Sequence, residues 1–420
     1  MSKNKIAFIL FTLLSVLYSI TRGLKQGSGG DFHAFWYAGS NFFTSNALYG
    51  KFPGVREFIY PPFAALFFSF FGLIPLKISA VIFSIINGLI YPATIYLTRR
   101  IFVENFPKIE KKAIDLSIYF ATFTSFKFFL NNLSIVQVNN IVFFLCLAGI
   151  HYYFKKNLKL SVFFFTLSTF LKLTPALFLL FLLITNFKKV VKHLFPQLLF
   201  FTITPHLIRF NRIKLDLNEY YENFLAPILK SGTSRGGSYA NQSLGGVLER
   251  TLTGEFAKVD TYGFKIPTIA NLDPSIVKLV FLSSALFLLT CLIWMIVRNL
   301  KKMDHLSTVQ TFSGIFLVSH ILSPVTWKHH LVSLLFVNMT FFIPIFAQDL
   351  KHFYHRHIDK ILFGLIVFIS LIGKSIIGMK YQRILGAYGI YTYTMLAIFI
   401  YFLLKKSKIL TNQQVDQLRD

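Results

Sequence analysis

Acidic residues are scarce in this chain: 17 Asp and Glu stand against 43 Lys and Arg in 420 residues, a formal net charge of +26. Cysteine is scarcer still, with two. Each shortage removes a class of protein. Cys146 and Cys291 both fall inside apolar runs, where thiols behave as small hydrophobes, so neither a disulfide framework nor a thiolate metal site is indicated. Charged residues make up 14% against 54% hydrophobic, with a mean hydropathy of +0.59, which excludes an ordinary water-soluble globule. The apolar runs contain almost no acids, Asp115 lying only at an edge. That counts against a proton-coupled carrier, which keeps ionisable groups inside its spans.

In a soluble protein such an excess of positive charge would point to nucleic acid. Here Lys and Arg sit at the ends of apolar runs, as the positive-inside rule and anionic headgroups select. Membrane lipids are therefore the expected surroundings, and no nucleic-acid partner is expected. The first run, Ile6 to Ile20, follows Lys3 and Lys5 as a signal peptide would, but no small-residue cleavage site follows it, so it reads as a retained span.

Helical spans need about 20 apolar residues. About twelve candidates are present, two of them short: 6 to 20, 78 to 98, 113 to 130, 138 to 154, 160 to 171, 175 to 187, 191 to 208, 276 to 297, 307 to 323, 331 to 347, 361 to 379 and 385 to 404. A cytoplasmic N-terminus puts Arg99, Arg100, Lys155, Lys156, Lys188, Lys189, Lys301, Lys302, Lys405 and Lys406 on the inside. The alternation holds if Phe63 to Ile74 is re-entrant or interfacial and Ser161 to Phe187 is a short hairpin tipped by Lys172-Leu173-Thr174-Pro175. The reading is an all-α polytopic membrane protein, one transmembrane domain over 1–420 without internal repeat. Residues 21–77 and 209–275 are outer loops with short surface helices, and 405–420 is a polar cytoplasmic tail.

On that topology the outer face gathers Asp31 and His33, Tyr60, Asn131 and Asn132 with Gln137 and Asn139, and Lys172. The second loop adds Arg235, Asn241, Gln242 and Arg250, and late in the chain come Trp327, Lys328, His329 and His330. Asp31 is the best catalytic candidate. A lone acid with several cations at a membrane surface fits a transferase with a lipid-phosphate donor. The acid deprotonates an acceptor hydroxyl, and the cations hold the leaving phosphate. Each residue also has a plainer role: Lys172 can snorkel, Trp327 can belong to an interfacial belt, and the histidine pair can cap or hydrogen-bond. No third ligand at a recognisable spacing accompanies that pair, so zinc is not expected.

Several strings occur in order over roughly residues 30 to 335: D-F-H-A-F-W-Y-A-G, A-L-Y-G, F-I-Y-P-P-F-A-A-L-F, V-Q-V-N-N, F-L-K-L-T-P-A-L-F, N-Q-S-L-G-G-V-L-E-R and L-S-P-V-T-W-K-H-H-L. Together they resemble glycosyltransferase family 87, the polyprenol-phosphate-mannose-dependent mannosyltransferases of the GT-C membrane fold. The resemblance implies a polyprenyl-phosphate-linked sugar as donor, a lipid or glycan acceptor at the outer face, and inversion at the anomeric carbon. It puts the general base on Asp31 and donor-phosphate or acceptor contacts on Lys172, His329 and His330. Tyr60, Gln137, Asn139, Arg235, Asn241, Gln242 and Arg250 complete the expected substrate-binding set. Neither a cofactor nor an obligatory metal is expected, because Lys or Arg can stabilise a leaving phosphate. The implied location is a bacterial inner membrane, with the site on its periplasmic or extracellular side. In the family the position between Trp327 and His329 is often acidic, yet here it is Lys328, which leaves the acceptor open. Two other readings share this topology: a ligase or polymerase using diphosphate-linked glycans, and a lipid or glycan flippase. Donor chemistry separates them.

Overall fold

The computed structural model describes residues 3–26, 30–227, 238–253, 268–302, 304–347 and 357–405. Among these, regular structure is helical apart from one isolated bridge between Phe52 and Val55. In chain order the helices are α1 (Lys3–Leu24), α2 (Asp31–Ser40), α3 (Pro62–Gly72), α4 (Leu76–Asn105), α5 (Lys111–Ser134), α6 (Asn139–Phe154), α7 (Leu158–Leu171) and α8 (Ala176–Ile208). They continue with α9 (Ile213–Tyr220), α10 (Leu244–Leu252), α11 (Pro274–Lys302), α12 (His305–Leu322), α13 (Leu334–Phe346), α14 (His357–Leu371), α15 (Lys374–Ala387) and α16 (Ile390–Leu404).

Among the described residues, five helical stretches are long and apolar enough to cross a membrane: Lys5–Leu24, α4, α5, α11 and Lys328–Phe346, with the broken pair α14 and α15 as a sixth if it forms one span. The expected dozen differs for physical reasons. Helices α6, α7 and α16 have only 16, 14 and 15 residues. At 1.5 Å per residue, these fall several ångström short of the roughly 30 Å hydrocarbon core. The two stretches expected at 175 to 187 and 191 to 208 are the two helical segments of α8, which part at Asn186 (φ −157°, ψ 66°) just before Lys188 and Lys189. The segment expected to be re-entrant is α3, 11 residues started by Pro62, whose fixed φ suits a first turn.

The chain packs as two units, Met1–Leu97 with Phe128–Lys230, and Thr98–Lys127 with Ser231–Asp420. In the first, α2 and α3 cross at two glycines. A Cβ on Gly39 would lie 2.2 Å from the Phe68 carbonyl oxygen, and one on Gly72 would lie 2.2 Å from the Ser40 nitrogen. This approach brings Phe35 onto Phe68, ring centroids 4.5 Å apart, while Phe32 stacks on Phe83 of α4 at 5.1 Å. Small residues also join α1 to α4, where the Ser15 hydroxyl donates to the Gly88 carbonyl at 2.9 Å.

Arg209, at the end of α8, ties down the chain that leaves α2. Its Nη1 donates to the carbonyls of Asn41 and Phe42, both at 2.7 Å, and of Thr44 at 3.0 Å. Its Nη2 reaches the Asn46 carbonyl at 2.8 Å, and Nε reaches Asp216 Oδ2 at 2.6 Å. The carbonyls at the end of a helix have no partner within it, and here one guanidinium supplies several. The start of the second long segment is thereby held against the first.

In the second unit, α12 and α13 are almost wholly buried, the place of central helices. Polar pairs lock them: Ser313 to Thr340 at 2.9 Å, Asn338 to Thr124 at 2.9 Å and Asn299 to Thr311 at 2.9 Å.

Arg209→Ala removes all of these donors and leaves Asp216 buried with Arg212 only at 3.8 Å. We expect a loss of about 3–5 kcal/mol, the usual result of breaking a buried pair, read as a lowered unfolding midpoint of the detergent-solubilised protein. An unchanged midpoint would show that the clamp contributes nothing.

Candidate active site

Asp31 is the first residue of α2, with Gly30 at the N-cap, where the helix dipole favours an anion. The helix buries Phe32, Phe35 and Ala38, and this places the adjacent carboxylate at the edge of the aromatic core with only 7% of the residue exposed. Both oxygens are held. Gln137 Nε2 donates to Oδ2 at 2.8 Å, and Arg56 Nη1 forms an ion pair with Oδ1.

Gln137 owes its position to the way α5 stops. The Val136 amide donates to the Leu133 carbonyl at 3.2 Å, and the Gln137 amide donates to the Asn132 carbonyl at 3.1 Å, the paired bonds of a Schellman turn. The residue at the turn is normally glycine, because its φ is positive. Here it is Val136, with φ 54° and its side chain buried in the core. A β-branched residue in that region is strained, and strain of this kind persists only where the surroundings enforce it. The turn aims Gln137 at Asp31, and the Val138 amide fixes the Gln137 oxygen at 3.2 Å. The Tyr60 hydroxyl lies 3.4 Å from that oxygen. Burial and then the Asp31 charge push the Tyr60 phenol well above its ordinary range, so it stays a donor.

The network continues. Asn132 Nδ2 donates to the Gln137 carbonyl at 3.1 Å, and Asn139 Nδ2 donates to Asn132 Oδ1 at 3.1 Å. Lys172 Nζ then donates to Asn139 Oδ1 at 2.6 Å. Lys172 stands in extended backbone at the end of α7 (φ −160°), beside the tip that leads into α8. Burial pushes its amine down to about 7, opposed by the charge of Asp31. Five candidates read from sequence, Asp31, Tyr60, Gln137, Asn139 and Lys172, therefore share one hydrogen-bonded system inside the first unit. Arg56 and Asn132 belong to it as well. Arg56, a lone cation in an irregular stretch, carried no sequence signal; the Asn131-Asn132 pair was visible only as polar residues near a span end.

The other described candidates lie in the second unit. Asn241 Oδ1 accepts from the amides of Thr326 at 2.9 Å and Ser243 at 3.1 Å, and its Nδ2 donates to the Pro324 carbonyl at 3.2 Å. Gln242 donates to the Gly386 carbonyl at 2.8 Å. Arg250 is buried and donates to the carbonyls of Ser238 at 2.7 Å, Asn241 at 2.9 Å and Ala387 at 3.2 Å. These contacts shape the segment that carries Trp327, His329 and His330. There the Trp327 amide donates to His330 Nδ1 at 3.2 Å, and the two histidine rings meet edge to face at 4.4 Å. Lys328 lies 5.9 Å from the centre of the Tyr391 ring, whose hydroxyl accepts from Lys127 at 2.9 Å. Arg235 lies outside the described residues. Among the described residues no group of three or more His, Cys, Asp or Glu could hold a metal ion.

The strain at Val136 has a measurable consequence. Glycine is ordinarily less stable than alanine by roughly 0.5–1 kcal/mol at an interior position, but a left-handed residue costs an L-amino acid about 1–2 kcal/mol. Val136→Gly should therefore match or exceed Val136→Ala in thermal stability. The ordinary order, with alanine ahead, would show the turn to be unstrained.

The site combines an acid and an amine in one buried network, in a chain whose described residues form membrane-length helices. No curated protein is a match to the chain. The family model for glycosyltransferase family 87 matches residues 58–324, more than half of it. That range includes Tyr60, Gln137, Asn139, Lys172, Asn241, Gln242 and Arg250, whereas Asp31, Arg56, His329 and His330 lie outside it. The chain belongs to glycosyltransferase family 87.

Proposed function

We propose that this glycosyltransferase moves a hexose, mannose by the resemblance, from a polyprenyl-phosphate donor to a hydroxyl of a lipid or glycan acceptor at the outer face of a bacterial inner membrane. The observation that supports this reading best is the continuous network from Asp31 through Gln137, Asn132 and Asn139 to Lys172. Asp31 takes the proton of the acceptor hydroxyl as its oxygen attacks the anomeric carbon. The bond from that carbon to the phosphate oxygen breaks on the opposite side, so the centre inverts in a single displacement. A phosphodiester with one negative charge leaves as a monoester that gains a second. Lys172, in its protonated form, meets that growing charge, the kind of preorganised stabilisation that contributes most in a site shielded from water. His329 and His330 are kept as acceptor or phosphate contacts.

Asp31→Asn preserves the shape of the side chain and removes its basicity. In proteoliposomes with radiolabelled polyprenyl-phosphate-mannose, transfer should fall about 10²- to 10⁴-fold, the usual contribution of a general base. Near-normal transfer by the variant would overturn the assignment. Transfer from a diphosphate-linked glycan with none from the monophosphate would replace the donor class.

A pH dependence follows from Lys172. Its amine is brought down to about 7, so the protonated fraction that an anionic donor requires falls as pH rises through that value. The kcat/KM for donor should decline on the alkaline side of about pH 7. Lys172→Arg, charged throughout, should flatten that limb. An identical alkaline limb in the arginine variant would remove Lys172 from phosphate binding.

A further inference from the structure

Arg56 is the open side of the Asp31 pair. Its side chain is 55% exposed, whereas the carboxylate it holds is 6% exposed. It lies in the irregular stretch between α2 and α3, next to the isolated bridge formed by Phe52 and Val55. Gln137, on the other oxygen, is buried and fixed by the turn at Val136 and by the Val138 amide. One partner of the carboxylate is thus immobile and the other can leave. Arg56 uses a single N–H on Asp31, and its remaining donors have no hydrogen-bond partner among the described residues. A guanidinium has five donors in a planar fork that fits phosphate oxygens two at a time. Lys172, at the far end of the network, lies within electrostatic reach of the same carboxylate.

The geometry points to Arg56 as an exchangeable ligand, paired with Asp31 in the free enzyme and transferred to the donor phosphate in the complex. This rests on the polyprenyl-phosphate reading above. In the free enzyme both Asp31 oxygens are occupied, one by Arg56 and the other by Gln137, so no oxygen is open to an acceptor hydroxyl. Donor binding presents a phosphate that competes for Arg56, and the released Asp31 oxygen becomes the proton acceptor. In the transfer step the acceptor oxygen bonds to the anomeric carbon and its proton goes to Asp31. The carbon–oxygen bond to phosphate breaks, and its electron pair leaves on the phosphate oxygen. The charge gained there lies on the group that Arg56 and Lys172 now hold. When polyprenyl phosphate departs and Asp31 loses its proton to solvent, the ion pair re-forms. The base is therefore armed by the donor, and the donor binds before the acceptor is deprotonated.

The test is a double-mutant cycle on binding of polyprenyl monophosphate, measured with the full-length protein in phosphatidylcholine nanodiscs for wild type, Asp31→Asn, Arg56→Ala and the double variant. If Asp31 and phosphate compete for Arg56, Asp31→Asn should bind on the order of tenfold more tightly than wild type, and Arg56→Ala on the order of tenfold more weakly, from the usual strength of a charge-assisted bond. The gain from Asp31→Asn should vanish in the Arg56→Ala background. Because Arg56→Ala leaves the buried Asp31 carboxylate with Gln137 alone, each variant's unfolding midpoint is measured alongside and binding is compared well below the lowest of them; Arg56→Lys, which keeps the charge, should recover part of the donor KM but little of kcat. A gain from Asp31→Asn that persists without Arg56 would be plain charge repulsion and would overturn the exchange. So would wild-type affinity and kinetics in Arg56→Ala, and neither result disturbs the transferase reading if Asp31→Asn remains inactive. Absence of polyprenyl phosphate binding in every variant, with folded protein, would overturn both.

Discussion

A carboxylate withdrawn from water must find partners, and much of the first unit is arranged around the two that Asp31 finds. The glycine crossing of α2 and α3 and the stacked rings of Phe35 and Phe68 set the start of α2 at the edge of an aromatic core. Gln137 can meet Asp31 only because α5 ends in a turn that forces Val136 to a positive φ. The bonds that close this turn also recruit Asn132, which passes the network to Asn139 and Lys172. Desolvation raises the stakes at each link: an unpaired polar group here costs more than any single bond returns. The local strain at Val136 is sustained by that requirement.

Arginines that look alike as letters divide sharply by where their donors go. Arg209 and Arg250 each end on several backbone carbonyls and act as clamps, one on the chain after α2 and the other on the bend near Gly386. Arg56 spends one donor on a carboxylate and keeps the rest available. The distinction is one of satisfaction. A guanidinium whose donors are taken up by the main chain holds the fold, whereas one with spare donors beside an acid has bonding capacity for a ligand. The N-Q-S and S-P-V-T-W-K-H-H strings likewise interlock, with Asn241 bonding the Thr326 amide and the Pro324 carbonyl, so these parts of the family resemblance describe a shaped segment as much as a set of ligands.

Much of the fold was legible in order and composition. Membrane-length helices α4, α5 and α11 lie where the apolar runs put them, because burying or solvating an apolar helix in lipid depends mainly on its own residues. The short helices were less legible: hydropathy records apolar runs but not that α6, α7 and α16 stop at 16, 14 and 15 residues, whereas the break expected before the lysines of α8 falls at Asn186. The family was carried by strings in a fixed order, and the match over residues 58–324 covers those from F-I-Y-P-P-F-A-A-L-F to N-Q-S-L-G-G-V-L-E-R.

The sequence by itself determined that the chain is helical and rich in apolar spans, which family it resembles, and that Asp31 is an acid among few. Those are properties of neighbouring residues and of composition. Tertiary structure decided that Gln137, Asn132, Asn139 and Lys172 reach Asp31 through one network, that Arg56 closes the other side of the carboxylate, and that Arg209 and Arg250 are occupied by the main chain. The reason is physical. Hydrogen bonds form between groups about 3 Å apart with the right direction. Residues 31, 56, 137 and 172 acquire that distance only after the helices between them have packed.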